Sequence, residues 1–146
     1  MEELLSLRDA LVRGDLAEAF LLLEEMEDMS RDGIRGNIYS YAVVLLLHLI
    51  KQAAEKRSTR SWEASIRNSV RGIYRKNKRR KAGGFYFPHE EVLEILEEAF
   101  PEAVDNAALE AFEGRYEAEE LAAMVDRAAI LKQALTMIES QAQAGA

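Results

Sequence analysis

No cysteine occurs in this chain, and that absence removes disulfides, thiolate nucleophiles and cysteine-ligated zinc together. Two prolines and eight glycines in 146 residues leave few breaks, and no stretch sustains the apolar–polar alternation of a strand. Only two histidines exist, His48 and His89, with no His-x-x-x-His or Glu-x-x-His pair, so no metal site assembles from sequence spacing. A Gly-x-Ser-x-Gly elbow and a phosphate-binding glycine loop with its lysine are both missing. Gly33-Ile34-Arg35-Gly36 matches the short loop of one RNA-binding module, but that module requires strands. No cofactor is implied. The longest nearly apolar run, Ala42–Ile50, is nine residues interrupted by His48. A membrane span needs about 20. The acidic start Glu2-Glu3 is unlike a secretory signal. These observations point to a cytoplasmic chain without a membrane span.

What remains is abundant Ala, Leu and Glu, with 49% hydrophobic residues, a composition that favours helices and fills a core. The expected fold is all-α: about six helices in one domain over 1–146, with 141–146 a frayed tail. Glu2–Val12 places Leu4, Leu7 or Leu5, Leu11 and Val12 on one helical face, Gly14 stops it, and Asp15 caps the next segment with Glu18 three residues on. That second segment runs to about Met29 on a Leu16, Phe20, Leu23 stripe. It ends in the acids Glu24, Glu25, Glu27 and Asp28, which a helix C-terminus disfavours. A third segment, to about Arg57, is apolar on every side from Ile38 to Ile50 and is read as the buried central helix. The fourth follows Ser58–Ser61, packs Trp62, Ile66, Val70 and Ile73 inward, and ends at Gly83-Gly84. A fifth begins with Pro88 at its first position and is either kinked or restarted at Pro101. The sixth covers about Glu117–Gln141.

Charge is the most uneven property of the sequence. Lys51 to Lys81 holds twelve Lys or Arg against Glu55 and Glu63, a balance of +10, whereas the rest carries −17. Internal pairing with acidic neighbouring helices would account for this. So would phosphate-backbone binding through the basic helix 67–81: Arg67, Arg71, Arg75, Lys76, Lys78, Arg79, Arg80 and Lys81. The bases fall late in that helix, where a helix-turn-helix does not read sequence, and a net charge of −7 opposes approach to nucleic acid. Docking onto an acidic partner, either a protein or an anionic membrane surface, is the third explanation.

Leu45-Leu46-Leu47-His48-Leu49-Ile50-Lys51, then Arg60-Ser61-Trp62-Glu63-Ala64-Ser65-Ile66, Arg71 and Ile73, resemble the signature of a bacterial family catalogued as domain of unknown function 29. The resemblance extends over about residues 5–112 and includes the Glu24-Glu25-Met26-Glu27 run. It implies an all-helical cytoplasmic protein and carries over no catalytic residue. Glu24, Glu27, His48, Lys51, Arg60, Trp62 and Arg71 match the family pattern, and a buried polar cluster joining segments two, three and four is the role expected for them. The chain departs from the pattern after about Phe112, where an amphipathic helix replaces the usual Pro- and Cys-containing ending. The functional expectation is a non-enzymatic helical interaction or scaffold domain, acting with an unknown protein partner or by self-association as a homo-oligomer. Nucleic-acid binding is the alternative. An enzyme or metal site centred on His48 with Glu24 and Glu27 is the more remote one.

Overall fold

The computed structural model describes residues 2–79 and 83–145; Arg80 and Lys81 of the basic run lie outside them. Six α-helices form among the described residues: α1 (Glu2–Arg13), α2 (Leu16–Glu55), α3 (Arg60–Asn77), α4 (His89–Glu110), α5 (Ala118–Ala123) and α6 (Arg127–Ala144). A 3-10 turn, Ala111–Gly114, follows α4. The all-α class follows from the composition, and no strand occurs among the described residues beyond a single antiparallel bridge between Lys78 and Phe85. The chain divides into two compact units, Met1–Arg35 and Gly36–Ala146.

The first unit is a helical hairpin. Gly14, at φ 75°, makes the left-handed step that a side chain resists, and Asp15 Oδ1 accepts the Glu18 N–H at 3.1 Å. Glu18 does not complete the cap; its carboxylate binds Arg13 at 2.7 Å. The tight turn sets α1 antiparallel to the start of α2, and Leu7, Ala10 and Ala19 close a small core flanked by Leu22 and Met26.

The second unit is built round the later part of α2, where Ala42, Leu45, Leu46 and Ile50 are fully inaccessible. An 18-residue window of α2 reaches a mean hydropathy of 1.3, which by length and composition alone would suit a membrane, and half of it is buried; the core helix of a globular protein has the same property. Gly72 of α3 lets the Tyr41 ring of α2 approach to 2.5 Å from where a Cβ would stand. Tyr39 of α2 donates to Glu102 of α4 at 3.4 Å, and α6 packs on both α3 and α4.

Three boundaries differ from expectation. Segments two and three are one helix, because Gly33 and Gly36 keep helical backbone and Glu27 stands four residues before Arg31, a favourable pair. The acids Glu24–Asp28 are therefore mid-helix, away from the terminal dipole that would disfavour them. Segment four ends at Asn77 rather than Gly83-Gly84, since Lys78 takes extended backbone (φ −76°, ψ 128°). Segment six splits at Asp126, whose side chain accepts the Ala129 N–H at 3.1 Å and starts α6 anew. Pro101 sits inside a continuous α4, and Tyr74 Oη donates to Gly145 O at 3.2 Å just past the end of α6.

Candidate functional site

Thr59 opens α3 by accepting the Trp62 N–H at 3.1 Å, and this cap aims the indole back at the end of α2. Two cations stand over it, Lys51 Nζ at 4.5 Å and Arg57 at 4.7 Å from the ring centroid. Lys51 is 5% exposed and donates to Glu110 Oε1 at 2.9 Å. Arg57 Nε donates to Glu55 Oε1 at 3.0 Å, and Glu55 Oε2 accepts the Phe112 N–H at 3.4 Å. Backbone strain gathers here, since Lys56, Phe112 and Glu113 all adopt positive φ (54°, 52° and 58°). The two cations over the ring each have a carboxylate, Lys51 with Glu110 and Arg57 with Glu55, so the cluster stabilises the junction of α2, α3 and α4.

Of the seven family-pattern residues, this cluster brings together Lys51 and Trp62. Arg60 is exposed in the first turn of α3, and Arg71 lies exposed further along it. His48 is half-buried, with Nδ1 2.8 Å from the Val44 carbonyl; the protonated nitrogen donates to backbone one turn earlier. Glu24 and Glu27 stand exposed on the hairpin unit. Glu55, Arg57 and Glu110 were not among the residues singled out in the sequence.

The basic face of α3 has a different character. Arg60, Arg67, Arg71, Arg75 and Lys78 recur at spacings of three, four or seven and form one stripe. None of the ion pairs among the described residues involves Arg60, Arg67, Arg71, Arg75 or Lys76. Lys78 lies 5.5 Å from the Tyr74 ring centroid and Arg79 lies 4.9 Å from that of Tyr86. Arg67 and Arg71 wall a groove of about 380 Å³ between α3 and α6, floored by Ile66, Val70 and Met137, with Ser140 and Gln141 opposite. The groove is apolar at its base and cationic along one wall.

A third feature is a cavity of about 540 Å³ over Ile73, Phe87, Val92 and Ile138. Asn77 holds its wall: Nδ2 donates to Phe87 O at 3.0 Å and Oδ1 accepts the Phe87 N–H at 2.8 Å. His89 Nδ1 and Glu139 Oε1, 3.3 Å apart, stand at its rim. Among the described residues no group of three or more His, Asp or Glu is placed to hold a metal ion.

These features describe a helical domain with an apolar groove between α3 and α6 that Arg67 and Arg71 border. The family model described as Domain of unknown function DUF29 matches residues 15–118, and the chain belongs to that family. The match begins at the cap of α2 and ends at the start of α5, so α1 and α6 lie beyond it. No curated protein and no solved structure matches the chain.

Proposed function

We propose that this chain is a non-enzymatic docking domain that receives an acidic amphipathic helix of a protein partner along the α3–α6 groove. The observation that carries the reading is the exposed row Arg67, Arg71 and Arg75, outside every ion pair among the described residues, of which Arg67 and Arg71 border an apolar floor. Internal pairing would have placed carboxylates against that row. Arginine forks favour carboxylates, and arginine is enriched where interfaces concentrate their energy. A docked helix would lay its apolar stripe on Ile66, Val70 and Met137 while its acids meet the arginines, the helix-in-groove mode. Nucleic acid offers phosphates but nothing for that floor, and the net charge of −7 slows its approach.

The test is fluorescence anisotropy with a labelled synthetic helix carrying Leu at i, i+4, i+7 and Glu elsewhere, against its Lys counterpart and mixed-sequence DNA and RNA. The acidic peptide should bind in the micromolar range, more weakly with rising salt, and Arg67→Glu/Arg71→Glu/Arg75→Glu should weaken it at least tenfold. Binding of nucleic acid without binding of the acidic peptide would replace this reading by the phosphate-backbone one.

A further inference from the structure

Resting on that reading, we infer that the acidic helix is supplied by a second copy of this chain, through its hairpin of residues 2–35. The hairpin carries ten acids and four bases, a balance of −6. Its core is three small or medium side chains, Leu7, Ala10 and Ala19, while Leu4, Leu11, Leu16, Phe20 and Leu23 are between 41% and 63% exposed. So much apolar surface on two short helices is what remains when a partner is missing.

Five of the nine exposed large apolar residues of the hairpin, Leu4, Leu11, Leu16, Phe20 and Leu23, share one side, while Leu5, Val12, Leu21 and Met29 lie elsewhere round it. At about 100° per residue, Leu4 and Leu11 lie about 80° round α1 from the Leu7–Ala10 contact. Leu16, Phe20 and Leu23 lie about 95° round α2 from the Ala19, Leu22 and Met26 contact, in the same rotational sense. Because the two helices run antiparallel, equal offsets of equal sense point to the same face of the hairpin. One side of the first unit is therefore an apolar strip, and Glu24 and Glu27, four residues beyond Phe20 and Leu23, prolong it with carboxylates.

This strip is complementary to the groove in both chemistry and length. Leu16 to Leu23 spans about 10 Å, and the groove runs about 12 Å along α6, from Thr136 to Ala144. The apolar floor Ile66–Val70 precedes Arg75, as the apolar row precedes Glu24 and Glu27. The other candidates for the hairpin face are disfavoured by its charge. An anionic membrane or a nucleic acid meets −6, and a hairpin-to-hairpin contact sets −6 against −6.

The test uses the full chain in gel filtration with light scattering across protein concentration and salt. Wild type should show a mass above 16.5 kDa that rises with concentration and falls back as salt increases. Arg67→Glu/Arg71→Glu/Arg75→Glu alone and Glu24→Lys/Glu27→Lys alone should each elute as monomers with unchanged helical circular dichroism. Mixed, they should associate again, because each reversed face now meets its complement. A wild type that stays monomeric at all concentrations overturns the inference, and so does a mixture that fails to associate. Association that strengthens with salt and ignores the arginine variant also overturns it, in favour of hairpin-to-hairpin contact. A monomeric wild type that still binds the synthetic acidic helix leaves the docking reading standing, whereas loss of both removes the two together.

Discussion

Replacing Asn77 by alanine should cost this chain more than any other single polar change outside the Lys51 cluster. The Asn77 side chain is 6% exposed and makes two bonds to one residue, to Phe87 O at 3.0 Å and from Phe87 N at 2.8 Å. Phe87 is itself 4% exposed, so truncation removes two hydrogen bonds from a buried backbone segment. Each such loss costs about 1–3 kcal/mol. Water entering from the adjoining cavity recovers part of that, which leaves roughly 2–4 kcal/mol. For a domain of this size the loss corresponds to about 5–12 °C in Tm, read by circular dichroism at neutral pH. Asn77→Asp keeps the acceptor for Phe87 N–H but turns carboxylate lone pairs on Phe87 O. Burial and that carbonyl would raise the introduced acid above its ordinary value of about 3.9. A raised folded pKa means that the neutral, donating form is tolerated below about pH 4 and the deficit grows as pH rises through the folded value. A Tm loss under about 2 °C for Asn77→Ala, or an Asn77→Asp deficit that shrinks between pH 4 and 7, would refute the clamp.

Three further outcomes follow from equally local geometry. Gly72→Ala should destabilise, although alanine gains about 1 kcal/mol over glycine in a helix, because its Cβ would stand 2.5 Å from the Tyr41 ring. Gly36→Ala, with nothing within 4 Å, should stabilise by about that amount in chemical denaturation, and the same sign for both would contradict the account. Trp62→Ala should cost about 2–3 kcal/mol by removing the ring shared by Lys51 and Arg57, measured as a lower urea midpoint; an unchanged midpoint would show the cluster to be ornamental. Desolvation, then the neighbouring Glu102 carboxylate and more distantly Glu98, hold the Tyr39 phenol above its usual 10.0. Its contribution to stability is therefore complete below pH 10 and is lost as pH rises through the higher folded value, so Tyr39→Phe should flatten the alkaline limb of the melting profile.

The central part of α2 was legible because apolar residues on every helical face mark a helix surrounded by apolar neighbours. The merger of two segments into α2 was not, since Gly33 and Gly36 read as punctuation although nothing crowds or bends them. At Asp126 the capping signal was present in the sequence, but the apolar period running through Leu121, Met124 and Ala128 concealed it. For the surface, the spacing of Arg67, Arg71 and Arg75 alone defines a stripe. The wall facing it comes from α6, some 65 residues later, and no local pattern announces that. Glu110 lies 59 residues from Lys51, so the anchor of the buried ammonium is equally a matter of tertiary structure.

Within the single helix Leu16–Glu55, no residue from 20 to 37 is buried, whereas most of 38 to 51 is inaccessible. Amide hydrogen exchange should therefore step by orders of magnitude along one unbroken set of backbone bonds, fast in the early turns and slow in the later ones. Those early turns bury little and so have little to lose on opening. Warming should therefore fray residues 20–37 before it touches the core, so that a partner held through the hairpin would be released while the rest of the domain remains intact.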